Sequence, residues 1–437
     1  MPAPLPRARL LRDRPTVGLY APFVVWGWLL YSFNPSVPLL ADELGVSAAQ
    51  AGLHGTAMAA GGLVAAPLIP RAARRLGRRT TLVVAVLVVA VGVVALLTGP
   101  SLPWTLGGVL VTAVGGNLLL ATAQVALSEH HGRAASAAIT EANGVGAGIG
   151  LLGPLAVGAC VALGWGWRPG VAVTAALALL TALVVLRLPR TGALDLGAPP
   201  RDAGAGVVDA PGGPPAGTRP APRPRAAPYF LATLVAATSL EFATTFWATD
   251  LVLERTDAGA GIATATTAGL VAGMTVMRFV VGPLSLRVPP ALLLAASFVI
   301  SVGGWAVLWT ATSTAVALTG LVVAGLGYGA QYPLAVALLL AASPGRGDRA
   351  QSHATLAGAL AVGVAPFALG ALADRVGSHQ AFVLVPVVAV VGLVTAVLGG
   401  RAVRRTGVAL GGSTPWHDPT SDPSPTATTP ASPTTSP

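Results

Sequence analysis

The chain has 437 residues, of which only 10% are charged and 54% are hydrophobic, and its mean hydropathy is +0.73. This excludes a water-soluble domain, whose surface needs far more polar cover. The net charge of +10 comes from 26 basic residues, every one an arginine; it would point to nucleic acid if they clustered, and they are instead spread over separate short segments.

An N-terminal tail, 1–16, carries Arg7, Arg9, Arg12 and Arg14 ahead of a first apolar block at 17–40. The charge resembles that of a signal peptide. The block is too long for one and lacks a clear small-residue cleavage site, so an uncleaved helix is expected. Further apolar blocks follow near 48–69, 80–98, 103–127, 134–163 and 168–188. Each approaches or exceeds the ~20 residues that cross ~30 Å of hydrocarbon. Stretches such as 81–97 are apolar on every side, whereas barrel strands alternate polar with apolar over ~10 residues, so the blocks read as helices. The segment 189–227 is rich in Pro, Gly and Arg, has no helical period and reads as a linker. Six more blocks lie near 228–253, 261–286, 290–311, 316–342, 350–372 and 380–400. The tail, 401–437, becomes a Pro, Ser and Thr run from Thr406, and disorder is expected there.

The pattern predicts an all-α integral membrane protein of about twelve transmembrane helices, in two pseudo-symmetric six-helix bundles at 17–188 and 228–400. With the N-terminus placed in the cytoplasm, 22 arginines fall on the inner side, and only Arg168, Arg255 and Arg375 fall outside. That asymmetry predicts both termini inside, in a multi-pass protein of the cytoplasmic membrane. It also removes nucleic acid as a partner, leaving the lipid bilayer.

The halves resemble each other at an offset of 212 residues, with Gly153-Pro154-Leu155 opposite Ala365-Pro366-Phe367, and Gly108 and Gly115 opposite Gly320 and Gly327. Duplication of a six-helix unit is expected. Two such units suit a carrier that rocks one half against the other about a site near mid-membrane.

Between the second and third helices, Arg74-Arg75-Leu76-Gly77-Arg78-Arg79 is similar to the end of a G-x-x-x-D-R-x-G-R-R loop, with Arg74 in the Asp place and Pro70 in that of the first Gly. The second half has Gly282-Pro283-Leu284-Ser285-Leu286-Arg287 at the matching loop. A complete G-x-x-x-D-R-x-G occurs at Gly370-Ala371-Leu372-Ala373-Asp374-Arg375-Val376-Gly377. These motifs, with the six-plus-six count, resemble the major facilitator superfamily over roughly 17–400. The resemblance implies alternating access and marks Gly77, Arg78 and Arg79 as the family loop. The superfamily's drug-proton exporters, which are antiporters, usually carry an Arg in the fourth helix, where Val111 stands here. Their Gly-rich fifth helix is loosely matched by Gly144, Gly146, Gly148, Gly150, Gly153 and Pro154.

A charge at a helix centre costs roughly 2.5 to 3.5 kcal/mol on insertion scales, so ionisable residues inside the blocks are candidates for function. Three stand out: Glu141, Glu241 and Arg278. Glu241, about 20 Å from the predicted inner end of its helix, is expected to be the proton-coupling carboxylate, because loss of hydration favours the neutral acid, and Glu141 is the second candidate. Glu141 and Arg278 fall at similar depths on the fifth and eighth helices, which face each other in the family resembled, and they are expected to form a gating salt bridge. Helices one, four, seven and ten line the cavity of that family. They bring Tyr31 and Asn34, Asn117 and Gln124, Phe242 and Trp247, and Tyr328, Gln331 and Tyr332 forward as solute contacts. Aromatic groups with a few amides suit a small organic molecule. A lone polar residue in such a helix serves equally as interhelical glue. His54 and His353 read as packing, His130-His131 has too few ligands nearby for a metal site, and Cys160 stands alone in an apolar block.

The expectation is a small-molecule secondary transporter, monomeric, coupled to protons, and an antiporter if the exporter resemblance holds. No cofactor or metal is implied. A polytopic enzyme would need a nucleophile or metal constellation, and no GxSxG, HExxH or CxxC occurs. A non-transporting receptor or scaffold on the same fold stays open as the alternative.

Overall fold

The computed structural model describes residues 9–189, 194, 226–258 and 260–405. Most of the expected linker, the first half of the N-terminal tail and the Pro, Ser and Thr run lie outside the described residues. All regular elements among the described residues are helical. The first half runs α1 (Arg14–Phe33), α2 (Val37–Leu44), α3 (Ala48–Leu76), α4 (Arg78–Thr98), α5 (Leu102–His131), α6 (Ala135–Gly150), α7 (Leu152–Ala162) and α8 (Arg168–Arg187). The second runs α9 (Ala227–Arg255), α10 (Ala260–Leu284), α11 (Pro290–Trp309), α12 (Thr314–Ala341), α13 (Gly347–Val376), α14 (Ser378–Ala381) and α15 (Leu384–Arg405).

Among the described residues nine helical stretches are long and apolar enough to cross a membrane, or ten with the bent α9. One of the nine, Leu102–Ala162, holds two passes joined by the turn at Gly132–Ala134, and the apolar part of α10, Ala268–Leu284, is a further, shorter pass. The chain is therefore a twelve-helix membrane protein. Its successive passes alternate in direction. Most arginine-bearing termini and turns accordingly meet at one end of the bundle, called here the basic end; the other is the far end.

Two of the expected blocks are broken. The first ends at Phe33, where Asn34–Ser36 forms a 3₁₀ turn before the short α2, because Pro35 and Pro38 each lack an N–H for a continuous helix. The block at 134–163 divides at Leu151 into α6 and α7, next to Gly146 and Gly150, whose bare backbones lie against Phe23 and Gly27 of α1. A side chain at either would collide with that backbone.

The duplication appears in the packing. A Cβ at Gly108 would meet the Leu96 backbone N at 2.5 Å, and one at Gly320 would meet the Leu308 N at 2.5 Å. Gly115 lies against the Ala85 carbonyl and Val89 N, and Gly327 against the Ser297 carbonyl and Ser301 N. Each contact residue in the second half is 212 positions after its counterpart in the first. The two halves thus share one close helix pairing, α4 with α5 and α11 with α12.

Candidate functional site

The polar bonds between the halves gather at the basic end. Arg78, first residue of α4 and almost fully buried, donates from Nη2 to both Glu129 at the end of α5 (2.8 Å) and Asp348 in the first turn of α13 (3.0 Å). The Asp348 bond crosses from one half to the other. Just inside it, Gln351 Nε2 donates to Gln124 Oε1 at 2.8 Å, and the Ser352 hydroxyl donates to the Ala66 carbonyl at 2.6 Å. Gly62 of α3 faces the Ala359 methyl of α13 closely enough that a Cβ there would lie 2.9 Å away. On the other flank α6 packs against α10 and α12.

At the far end the polar bonds among the described residues stay within each half. Glu43 accepts from Trp167 at 2.9 Å and pairs with Arg168, whose Nε donates to the Leu97 carbonyl at 2.8 Å. Burial works against the Glu43 charge, but the hydrogen bonds from Arg168 and Trp167 and the Arg168 charge hold its carboxyl below the usual range. In the second half Glu254 accepts the His379 backbone N–H at 3.0 Å, and the His379 ring stacks on Trp309. The α7 segment, at the far end of its pass, packs on α1 and α8 of its own half. Among the described residues, polar bonds across the midline are thus made toward the basic end and not at the far end.

Between these ends lies a polar centre. Side chains lean toward the N-terminus of their helix. The N-terminus of α9 is at the basic end and that of α10 at the far end, so Glu241 and Arg278 lean toward one another. Glu241 and Arg278 are both half-buried. Glu241 senses the Arg278 charge, and Tyr31 of α1 and Tyr332 of α12 sense both. Neither Glu241 nor Arg278 closes an ion pair with another described residue, and the Nε of Arg278 is buried without a hydrogen-bond partner.

The expected Glu141–Arg278 salt bridge is not made. Helix α6 does lie beside α10, with Gly144 against the Arg278 Cβ and Gly282 near the Glu141 N. The N-terminus of α6 is at the basic end, however, so Glu141 leans away from Arg278 and accepts two bonds from Arg12, at 2.6 and 2.8 Å. The cross-half ion pair is instead Arg78 with Asp348.

The remaining expected residues divide by what they touch. Tyr31, Phe242 and Tyr332 are half-buried, and Tyr332 sits against Gln124. Tyr328 is buried and its hydroxyl lies 3.0 Å from that of Thr244. Gln124 spends its carbonyl on Gln351 at the seam. Asn117 donates to its own helix at Ala113, beside Gly62. Three others point elsewhere. Trp247 donates to the Pro366 carbonyl at 2.8 Å and packs on Gly370, Gln331 bonds Ser301 of α11 at 3.1 Å, and Asn34 is exposed in the 3₁₀ turn. In the loop motif Gly77 takes φ +75°, a conformation that favours glycine. Its neighbour Arg79 donates to the Leu188 carbonyl at 2.8 Å. The sequence reading passed over Asp348, Gln351 and Ser352. The signal for the first was an acid in the first turn of a transmembrane helix, opposite a loop rich in arginine.

Residues 23–253 and 229–432 each match the family profile described as Major Facilitator Superfamily. Among solved structures the fold is similar to FucP, described as a Major Facilitator Superfamily transporter in the outward conformation, with 17% identity, a TM-score of 0.70, and 88% of this chain and 98% of that one covered. It is also similar to the proton:xylose symporter XylE (13% identity, TM-score 0.65, 89% and 95% covered) and to the human organic anion transporter MFSD10 (16%, 0.64, 88% and 98%). Among curated proteins none matches the sequence. Two profile matches that together span most of the chain, one on each half, rest on the same duplication seen in the packing, and the chain belongs to the Major Facilitator Superfamily.

Proposed function

We propose that this membrane transporter is a proton-coupled carrier of a small organic solute, working as a monomer by alternating access in a cytoplasmic membrane. The basic end and both termini lie inside the cell by the arginine asymmetry. The conformation described is then the one closed to the cytoplasm and divided toward the outside. Domain limits of 17–188 and 228–400 follow the two bundles, joined by a cytoplasmic linker.

The observation that carries the reading is the half-buried carboxylate of Glu241 near Arg278, Tyr31 and Tyr332, which we take to face a cavity between halves whose described polar bonds are made at one end. A carboxyl so placed exchanges its proton with whichever side the cavity opens to, and closing the seam commits the solute with it. Two of the similar folds, FucP and XylE, bear the description of proton symporters, which favours the same coupling here.

The test is transport in sealed vesicles holding the purified protein, with a panel of organic solutes offered under an imposed pH gradient and at equal pH. Accumulation that needs the gradient supports the reading. A protein that moves no member of the panel under either condition, while properly folded, belongs with the receptor or scaffold alternative.

A further inference from the structure

Between the two halves one positive and one negative side chain, Arg278 and Glu241, sense each other's charge without closing an ion pair. Arg278 has a planar five-donor fork that meets the Tyr31 hydroxyl but closes no ion pair with a described carboxylate, and its buried Nε has no partner. The groups that sense its charge come from three other helices: Glu241 on α9, Tyr31 on α1 and Tyr332 on α12, with Tyr328 of α12 near Glu241 and Gln124 of α5 against Tyr332. From α6 the nearest acid, Glu141, is held by Arg12. A guanidinium left this way in a low-dielectric interior is costly, and its fork matches a carboxylate bidentately.

We propose that the solute is a small organic anion whose carboxylate docks on Arg278 and which travels with one proton carried by Glu241, an inference that rests on the cavity being the solute site. Charge decides between solute classes. A neutral polyol would leave Arg278 without a charged partner, and an amine drawn to Glu241 would meet Arg278 as a like charge. A carboxylate satisfies the guanidinium. It also leaves the enclosed site one charge negative, because Arg278 and Glu241 already cancel, and a proton on Glu241 restores neutrality. Anion and proton therefore favour each other's binding by linkage, which makes the coupling symport. The half-buried rings of Tyr31, Phe242 and Tyr332 give the anion an aromatic wall.

The experiment is equilibrium binding to the purified full chain in detergent, without a gradient. The probes are lactate, benzoate and phenylacetate, each matched with its amide, together with benzylamine. At least one carboxylate should bind while its amide and benzylamine do not. Between about pH 6 and 8, where these acids stay ionised, affinity should rise toward about tenfold per unit fall in pH. Arg278→Gln should weaken binding by at least about tenfold, and Arg278→Lys should retain part of it. Glu241→Gln should bind with the pH slope gone. Amide or amine binding as tight as carboxylate, no carboxylate binding, a pH slope that survives Glu241→Gln, or full affinity in both Arg278 variants would overturn the proposal. Because binding is read without transport, a carrier of some other solute and an anion binder that moves nothing give different results.

Discussion

Glu241 and Glu141 are both carboxylates inside the bundle, and helix polarity separates their roles. Glu241 leans toward Arg278, and Glu141 leans to the basic end and pairs with Arg12. Glu241→Gln should therefore keep solute exchange at equal pH on both sides and lose accumulation against a gradient, measured in vesicles; a variant that still accumulates solute would make Glu241 structural. Asp13 shows a second kind of acid. Burial opposes its ionisation, but hydrogen bonds from the Thr16 hydroxyl and backbone and from His130 hold its carboxyl below the usual range. A depressed acid contributes stability above its unfolded pKa of about 3.9 and loses it as pH falls through the lower folded value. Asp13 also caps α1, so Asp13→Ala should cost about 1 kcal/mol at neutral pH. The difference from the parent should shrink below about pH 4 in thermal unfolding. An equal cost at both pH values would contradict this.

At the scale of elements, the glycine pairings and the seam make separate demands. Gly320→Leu forces a side chain onto the Leu308 backbone and should destabilise by about 1–3 kcal/mol, whereas Gly358→Ala, which has open space, should be near neutral in the same thermal assay. Asp348→Asn removes the charge that crosses the seam but leaves Arg78 with Glu129, so the fold should survive while the basic end opens more often. A cysteine at Ala359, opposite Gly62, should then react faster with a thiol reagent than in the parent; an unchanged rate would mean that the ion pair does not hold the seam. The passes and the duplication were legible because hydropathy over ~20 residues and glycines at one offset are local, repeated signals. The break at Asn34-Pro35 was missed because a continuous apolar block hid two prolines. The Arg78–Asp348 pair joins residues 270 apart and leaves no periodic trace. Depth alone suggested Glu141 with Arg278, where direction of lean, which follows from the same helix order, points Glu241 at Arg278 instead.

At the scale of the whole molecule, the two halves are expected to exchange closure at the basic end for closure at the far end. Tyr31, Glu241, Arg278 and Tyr332 sense one another's charge across the midline. The most direct measurement is the distance between spin labels by pulsed electron resonance, in a background with the native thiol removed by Cys160→Ser. One pair, Arg75→Cys with Arg346→Cys, spans the basic end, and another, Asp42→Cys with Ser313→Cys, spans the far end; all four positions are exposed. Alternating access predicts two populations that move in opposition. Asp348→Asn should lengthen the basic-end distance and shorten the far-end distance together. A single unchanging distance at both ends, indifferent to Asp348→Asn and to pH, would contradict the account and describe a rigid scaffold.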